Sequence, residues 1–316
     1  LNKIQRGAIF VKYTKIGNTS LTVPDIAVGC MRMAQLKPND AECFVSSMLE
    51  MGFNFFDHAD IYGDGKCEEM FAEAVHMNSD VRERIILQSK CGIRQGVAYD
   101  FSTEYIINAV EGSLKRLNTD YLDILLLHRP DALCEPKQVA EAFNILYAKG
   151  KVKHFGVSNH TPLQIQLLEK EMDFKLVVNQ MQFGIGHANM VSSGLHTNMT
   201  DDFSVNRDGG VLDYCRLNDI TVQAWSPFQY GFFNGIIFDR ERFPELNAVL
   251  DEAAEKYGVS NTAVAIAWIL RHPAGIIPVT GTMNVSRMSD IAKANDFILT
   301  RDEWYKIYMA AGNSLP

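Results

Sequence analysis

The sequence predicts a (β/α)8 barrel in the α/β class. Three observations lead there. Short apolar runs alternate with helical patterns eight times along the chain. The runs are near-continuous in apolar residues, as strands covered on both faces are. No composition break or linker interrupts the 316 residues, so the units read as one fold. A doubly wound sheet is the alternative. It calls for G-x-G-x-x-G after an early strand, which is absent, and "GDGK" at Gly63 lacks P-loop spacing.

The elements follow in order. Residues 1–12, beginning "LNKIQRGAIF", read as a leader, and the barrel is taken to run over 13–316. "KYTKIGNTSLTVP" predicts a short hairpin ahead of the first strand, placed to plug the barrel bottom. "DIAVGCMRM" reads as the first strand and "NDAECFVSSMLEMG" as its helix, capped by Asn39 or Asp40. "FNFFD" precedes the helix "KCEEMFAEAVHM". "RIILQSK" precedes "STEYIINAVEGSLKRLN", with Ser102 or Thr103 at its N-cap and apolar residues spaced at three and four. "YLDILLLH" precedes a helix with Pro136 in its first turn and Gly150 at its end. "VKHFGVSN" leads to "TPLQIQLLEKE". "KLVVNQMQ" leads through an irregular stretch, to about Arg207, into "GGVLDYCRLND". "ITVQAWSP" is followed by two helical patterns, "FPELNAVLDEAAEKYG" and "SNTAVAIAWILRHP". "GIIPVTG" precedes "NVSRMSDIAKAND", and "RDEWYKIYMAAG" closes the chain.

Composition narrows the function. Apolar residues make up 47 % and charged residues 22 %, with a net charge of -8. A basic surface for nucleic acid or an anionic membrane is therefore not expected. No apolar run reaches the ~18 residues of a membrane span. The N-terminus lacks a signal-peptide pattern, and none of the six cysteines forms a C-x-x-C. Reduced thiols in the cytoplasm are the expectation.

In a barrel the active site lies at the C-terminal strand ends. Four residues at successive ends form a chemical set: Asp57, Tyr62, Lys90 and His128. A tyrosine with pKa near 10 is a poor acid at neutral pH. An ammonium about 4 Å away stabilises its phenolate by roughly 4 kcal/mol at an effective dielectric near 20. That lowers the pKa by up to about three units. A carboxylate keeps the ammonium charged and aimed, and an imidazole orients a carbonyl. Singly, each has a plain structural reading: a turn cap, an ion pair, a packing phenol, a satisfied core imidazole. Their joint placement points to protonation of a carbonyl oxygen as hydride arrives.

The chain resembles the aldo-keto reductase superfamily, on the side of bacterial oxidoreductases and potassium-channel β-subunits. The resemblance rests on "FFDHADIYGDGKCEEMFAEAV", "LQSKCG", "YLDILLLHRPD", "KHFGVSNHTP", "VVNQMQF" and "QAWSPF". It implies a catalytic tetrad of Asp57, Tyr62, Lys90 and His128, with Tyr62 as acid/base. It implies NADPH or NADP+ as cofactor, with NADH weaker. Ser158, Asn159 and Gln180 match positions that hold the nicotinamide carboxamide. Trp225 stands where many members stack a tyrosine on the ring. The segment from Ser226, Pro227 and Phe228 to Asn234 would fold over the pyrophosphate, with Gln229 and Tyr230 replacing usual glycines. Gly281 and Thr282 open the last phosphate-binding turn, and Arg287 matches the arginine that pairs with the 2′-phosphate. A lysine common six residues earlier is here Gly281, which implies one cation instead of two and a weakened NADP preference.

The leading expectation is thus reduction of a small carbonyl compound, an aldehyde or ketone, with NADP(H). A regulatory subunit that keeps the barrel, cofactor and tetrad is an alternative. A metal-dependent hydrolase built on Asp57, His58 and Asp60 lacks a clear ligand set on the other strands, and no metal is expected. Candidates for the substrate wall are Met31, Arg32, Tyr62, His128, Phe183 and the stretch 184–206 with its His187, Met190, His196 and Met199. Oligomeric state is not legible.

Overall fold

The computed structural model describes residues 11–316. Of the expected leader, residues 1–10 lie outside the described residues. Val11 packs against the core, and the Lys12 carbonyl accepts from the Asp25 N–H at 2.9 Å. Eight parallel strands close into a barrel in chain order. They are β1 (Ala27–Gly29), β2 (Phe55–Asp57), β3 (Ile86–Cys91), β4 (Leu122–Leu127), β5 (Val152–Ser158), β6 (Val178–Gln182), β7 (Thr221–Trp225) and β8 (Ile277–Thr280). Helices lie between them on the outside. No helix among the described residues is long and apolar enough to cross a membrane.

Strand alternation sorts each run onto two faces. Outward residues such as Phe56, Leu87 and Leu125 meet the helices through Phe44, Phe71 and Phe143. Inward residues fill the barrel in layers. The lowest layer is apolar: Phe55, Ile86, Ile124, Val178 and Ile277. The predicted hairpin, Tyr13–Lys15 with Thr22–Pro24, closes it from below, with Ile16 and Val23 packed against this layer. The next layer is polar. Asp57 pairs in register with Gln88, and Gln180 with Gln223. Above it stand Lys90, His128, Ser158 and Trp225. Gly156 permits the inner packing: a Cβ there would lie 2.7 Å from Leu126 Cδ2 and 2.6 Å from the Val178 carbonyl oxygen.

Three local expectations change. The first strand pairs only over Ala27–Gly29, and Met33–Gln35 is a 3-10 turn. The first helix starts at Pro38 without a side-chain cap, not at Asn39 or Asp40, because Pro38 has no N–H to satisfy. The stretch 184–206 is not irregular throughout. It contains the helix Asn189–Leu195, and His196 is 1 % exposed between the Asp201 carboxylate (3.0 Å) and the Ser314 carbonyl (2.9 Å). It packs on the C-terminal segment, and His187, Met190, His196 and Met199 do not line the cleft described next.

Candidate active site

A cleft of about 1130 Å³ opens at the C-terminal ends of the strands. Its floor is an ion pair. Lys90 Nζ donates to both Asp57 carboxylate oxygens, at 2.8 and 2.7 Å, to the His58 carbonyl at 2.8 Å and to the Tyr62 hydroxyl at 3.2 Å. The lysine side chain is 0 % exposed. An ammonium has three protons, so four acceptors saturate it and fix its direction. Burial pulls the Lys90 pKa down. The Asp57 charge and the Tyr62 hydroxyl outweigh that, and the net shift is upward. The lysine stays charged.

Tyr62 sits in the turn after β2, at the start of the 3-10 segment Tyr62–Gly65. Its pKa was expected to fall, but it rises. Burial is the largest cause, the Lys90 charge opposes it, and the Asp57 charge reinforces it. The Asp57 carboxylate offsets part of the ammonium's effect on the phenol, and burial outweighs the rest. The hydroxyl therefore keeps its proton at neutral pH. His128 follows β4, with its ring edge-on to Tyr62 at 6.0 Å between centroids. Burial, then the Lys90 and Arg129 charges, hold its pKa well below the ordinary value, so the imidazole is neutral. Its Nδ1 has no partner among the described residues.

The sequence reading missed the layer beneath. Gln88 and Gln180 both donate to Asp57 Oδ1, and both also donate to Gln223 Oε1 at 2.8 Å. Gln223 Nε2 donates back to Gln88 Oε1 at 2.9 Å. Three buried amides thus brace the carboxylate. The signal was present: Gln88 and Gln223 are polar residues inside apolar strands, each two positions before a site residue on the same face, Lys90 and Trp225.

Asp60, three residues after Asp57 on the same stretch of chain, stands apart from the tetrad. Burial first, then the Glu68 charge, push its pKa up to about 7, against the pull of Arg116. His58 does not share the Asp57 face either; its ring packs on Phe71 at 4.7 Å. Alternation along the chain sends the three side chains of the hydrolase reading to different surroundings.

Around the cleft wall, Ser158 Oγ donates to the Gln180 carbonyl at 2.8 Å, and Asn159 Nδ2 donates to Ser158 Oγ at 2.8 Å. Trp225 Nε1 donates to Asn159 Oδ1 at 3.1 Å, which sets the indole beside these amides. Asn159 and Ser226 hold φ of 60° and 50°, in the left-handed region, so the turns after β5 and β7 are strained at the cleft rim. Ser226, Pro227 and Phe228 continue the wall, with Phe232 and Phe233 beyond them. After β8, Gly281, Thr282 and Arg287 line the opposite end, where Asn284 caps the helix Val285–Ala292.

Two wall candidates are relocated. Phe183 is 0 % exposed and stacks on Trp268, with centroids 5.5 Å apart, because its side chain falls on the outward face at the end of β6. It is not in the cleft lining. Arg32 does line the cleft, but at the far end: Nη1 donates to the Gly281 carbonyl at 2.8 Å. A Cβ on residue 281 would lie 3.0 Å from that nitrogen. Met31 lines the cleft as expected.

A family model described as "Aldo/keto reductase family" matches residues 25–310. The oxidoreductase YcsN of Bacillus subtilis (strain 168) is 35 % identical, over 91 % of this chain and 94 % of its own length. A 6-dehydroglucose reductase of Novosphingobium aromaticivorans is 33 % identical, over 96 % and 97 % respectively. A solved thermostable aldo-keto reductase, Tm1743 in complex with the inhibitor epalrestat, shares the fold at TM-score 0.76 and 21 % identity, covering 95 % of this chain and 99 % of that one. Family match, barrel and strand-end cleft agree: this chain is an oxidoreductase of the aldo/keto reductase family.

Proposed function

We propose that this chain reduces an aldehyde or ketone with NADP(H), using Tyr62 as the proton donor. The observation that carries this is the saturated Lys90 ammonium, which touches both Asp57 oxygens and the Tyr62 hydroxyl at the cleft floor. The family generally uses nicotinamide cofactors. A bound nicotinamide would supply hydride to the carbonyl carbon. The residues present suit it. Ser158, Asn159 and Gln180 offer amide and hydroxyl groups beside the flat indole of Trp225. The helix that begins at Val285 presents free N–H groups, and Arg287 lies in its first turn, a setting that attracts phosphate.

Tyr62 holds a proton that the carbonyl oxygen accepts as negative charge develops on it. The neutral His128 offers a hydrogen bond to the same oxygen without competing for that proton. Lys90 stabilises the phenolate left behind, and Asp57 with its three amides keeps the ammonium from moving. General acid catalysis of this kind contributes about 10²–10⁴-fold.

The adenosine end supports NADP over NAD more strongly than the sequence implied. The absent lysine at 281 is offset by Arg32, whose guanidinium occupies the space that a side chain at Gly281 would fill. Two guanidinium groups, Arg32 and Arg287, thus line that end of the cleft.

The test is oxidation of NADPH, with NADH as comparator, against a panel of aldehydes, ketones and sugars. Turnover with NADPH that falls away for NADH supports the reading. Tight cofactor binding without turnover on any carbonyl would sink it and return the regulatory alternative.

A further inference from the structure

Arg129 has no task in the scheme above. It follows His128 at the end of β4 and lines the cleft half-buried. Its guanidinium lies over the rings of Trp225 and Phe232, 5.5 and 5.7 Å from their centroids. Among the described residues it has no ion pair and no hydrogen-bond partner. Two aromatic rings, nearly perpendicular to each other, meet the cation, and none of its N–H donors has a protein acceptor among the described residues. Burial disfavours its charge, and the direction of its pKa shift is downward accordingly.

The charge balance of the lining is one-sided. Arg32, Arg129 and Arg287 line the cleft, and the one carboxylate there among the described residues, Asp57, is already held by Lys90. This holds on a chain whose net charge is -8. Arg32, through its bond to the Gly281 carbonyl, and Arg287, in the helix after β8, both line the β8 end. In a closed barrel of eight strands in chain order, β4 stands opposite β8. Arg129 therefore faces the cleft from the side away from those two arginines and next to His128, where the carbonyl is reduced. Gln95 and Tyr99, on a small hairpin after β3, line the same cleft.

We infer that Arg129 binds an anionic group of the substrate, so that the preferred carbonyl compounds carry a carboxylate or a phosphate. This rests on the carbonyl-reductase reading and extends it to substrate class. A guanidinium donates only, and in a half-buried setting it gains most from an acceptor that also cancels its charge. A carboxylate takes two parallel N–H bonds, and a phosphate takes the same fork.

The experiment measures kcat/KM with NADPH for matched pairs: succinic semialdehyde against butanal, and glyceraldehyde 3-phosphate against glyceraldehyde. Wild type should favour the anion of at least one pair by about tenfold to a hundredfold, the range of a charge-assisted bond. Which pair shows the preference separates carboxylate from phosphate. In Arg129→Met the anion-to-neutral ratio should fall to near one, mainly through KM. Arg129→Lys should restore part of it. Fluorescence titration with NADPH checks that each variant is folded. Good turnover of both neutral aldehydes with no anion preference overturns this inference alone. So does a preference for glyceraldehyde over its phosphate and over butanal that Arg129→Met abolishes, since the partner is then a hydroxyl. Absence of turnover on every carbonyl overturns the reductase reading and this inference with it.

Discussion

The two ends of the barrel interior are built from the same strands by opposite chemistry. At the bottom, Phe55, Ile86, Ile124, Val178 and Ile277 meet Ile16 and Val23 of the hairpin in a wholly apolar layer. Two residues further along β2, β3 and β6, Asp57, Gln88 and Gln180 join Gln223 of β7 in a buried hydrogen-bonded layer, with Lys90 above. Burying apolar groups needs no partner geometry. Burying amides and a charge pair is tolerated only when each polar atom is matched. The bottom therefore supplies stability by area. The top uses part of that stability to hold a few atoms in fixed positions.

This contrast yields tests in which one end is damaged and the other is watched. Tyr62→Phe should lower carbonyl reduction by about 10²–10⁴-fold while leaving Tm and NADPH binding close to wild type. Near-normal turnover at neutral pH would remove Tyr62 from the role of acid. Phe55→Ala should do the reverse, costing about 3–5 kcal/mol in urea denaturation while the folded fraction keeps its kcat. If kcat collapses with stability intact, the two ends are not separable.

Between these lies Gln223→Leu. It leaves the Gln88 and Gln180 amides without their shared acceptor. A loss of about 1–3 kcal/mol is expected, together with weaker catalysis because Asp57 is less well braced. A stability gain would mean that the amide layer is dispensable.

A pH-dependent contribution comes from Asp60, whose carboxyl titrates near 3.8 when unfolded and at about 7 in the folded chain. Between those values the folded state holds a proton that the unfolded state has lost. Stability from this group is therefore present at low pH and lost as pH rises through about 7, by no more than about 1.4 kcal/mol per pH unit. Asp60→Asn should gain on wild type across that window in paired urea midpoints at successive pH values. Parallel profiles would refute it. The buried histidines titrate in the opposite sense, since His58 is held down to about 3 by burial and then by Lys90, so only the difference between variants isolates Asp60.

The smallest effect is expected at the adenosine end. Arg287→Ala and Arg32→Ala should each weaken NADPH binding by about tenfold, the lower end for a charge-assisted hydrogen bond, with little change for NADH. Fluorescence titration of both cofactors decides it. Equal weakening of the two cofactors would make both arginines ordinary surface residues.

By itself the sequence determined the periodic part of this protein. Eight apolar runs and their helices were legible because strand and helix each impose a short repeat on which residues face the core. Asp57, Lys90 and His128 were legible for the same reason, since a polar residue ending an apolar run must lie at a strand end, and Tyr62 was read onto the loop that follows Asp57. The cap at Ser102, one of two candidates with Thr103, was local enough to read as well, since its hydroxyl accepts from the Tyr105 N–H three residues on. What only the tertiary structure decided are relations between distant positions. Arg32 reaches Gly281 across 249 residues, and Gln88 reaches Gln223 across 135. Phe183 turns outward onto Trp268, and Ser192 and His196 tie the helix Asn189–Leu195 and the turn after it to the C-terminal segment. The sign of the Tyr62 shift belongs here too, because burial and the contact of one ammonium with both Asp57 and Tyr62 exist only once β2, β3 and the turn that carries Tyr62 are packed together. Local propensity fixes which face a residue takes; closure of the barrel decides which faces meet.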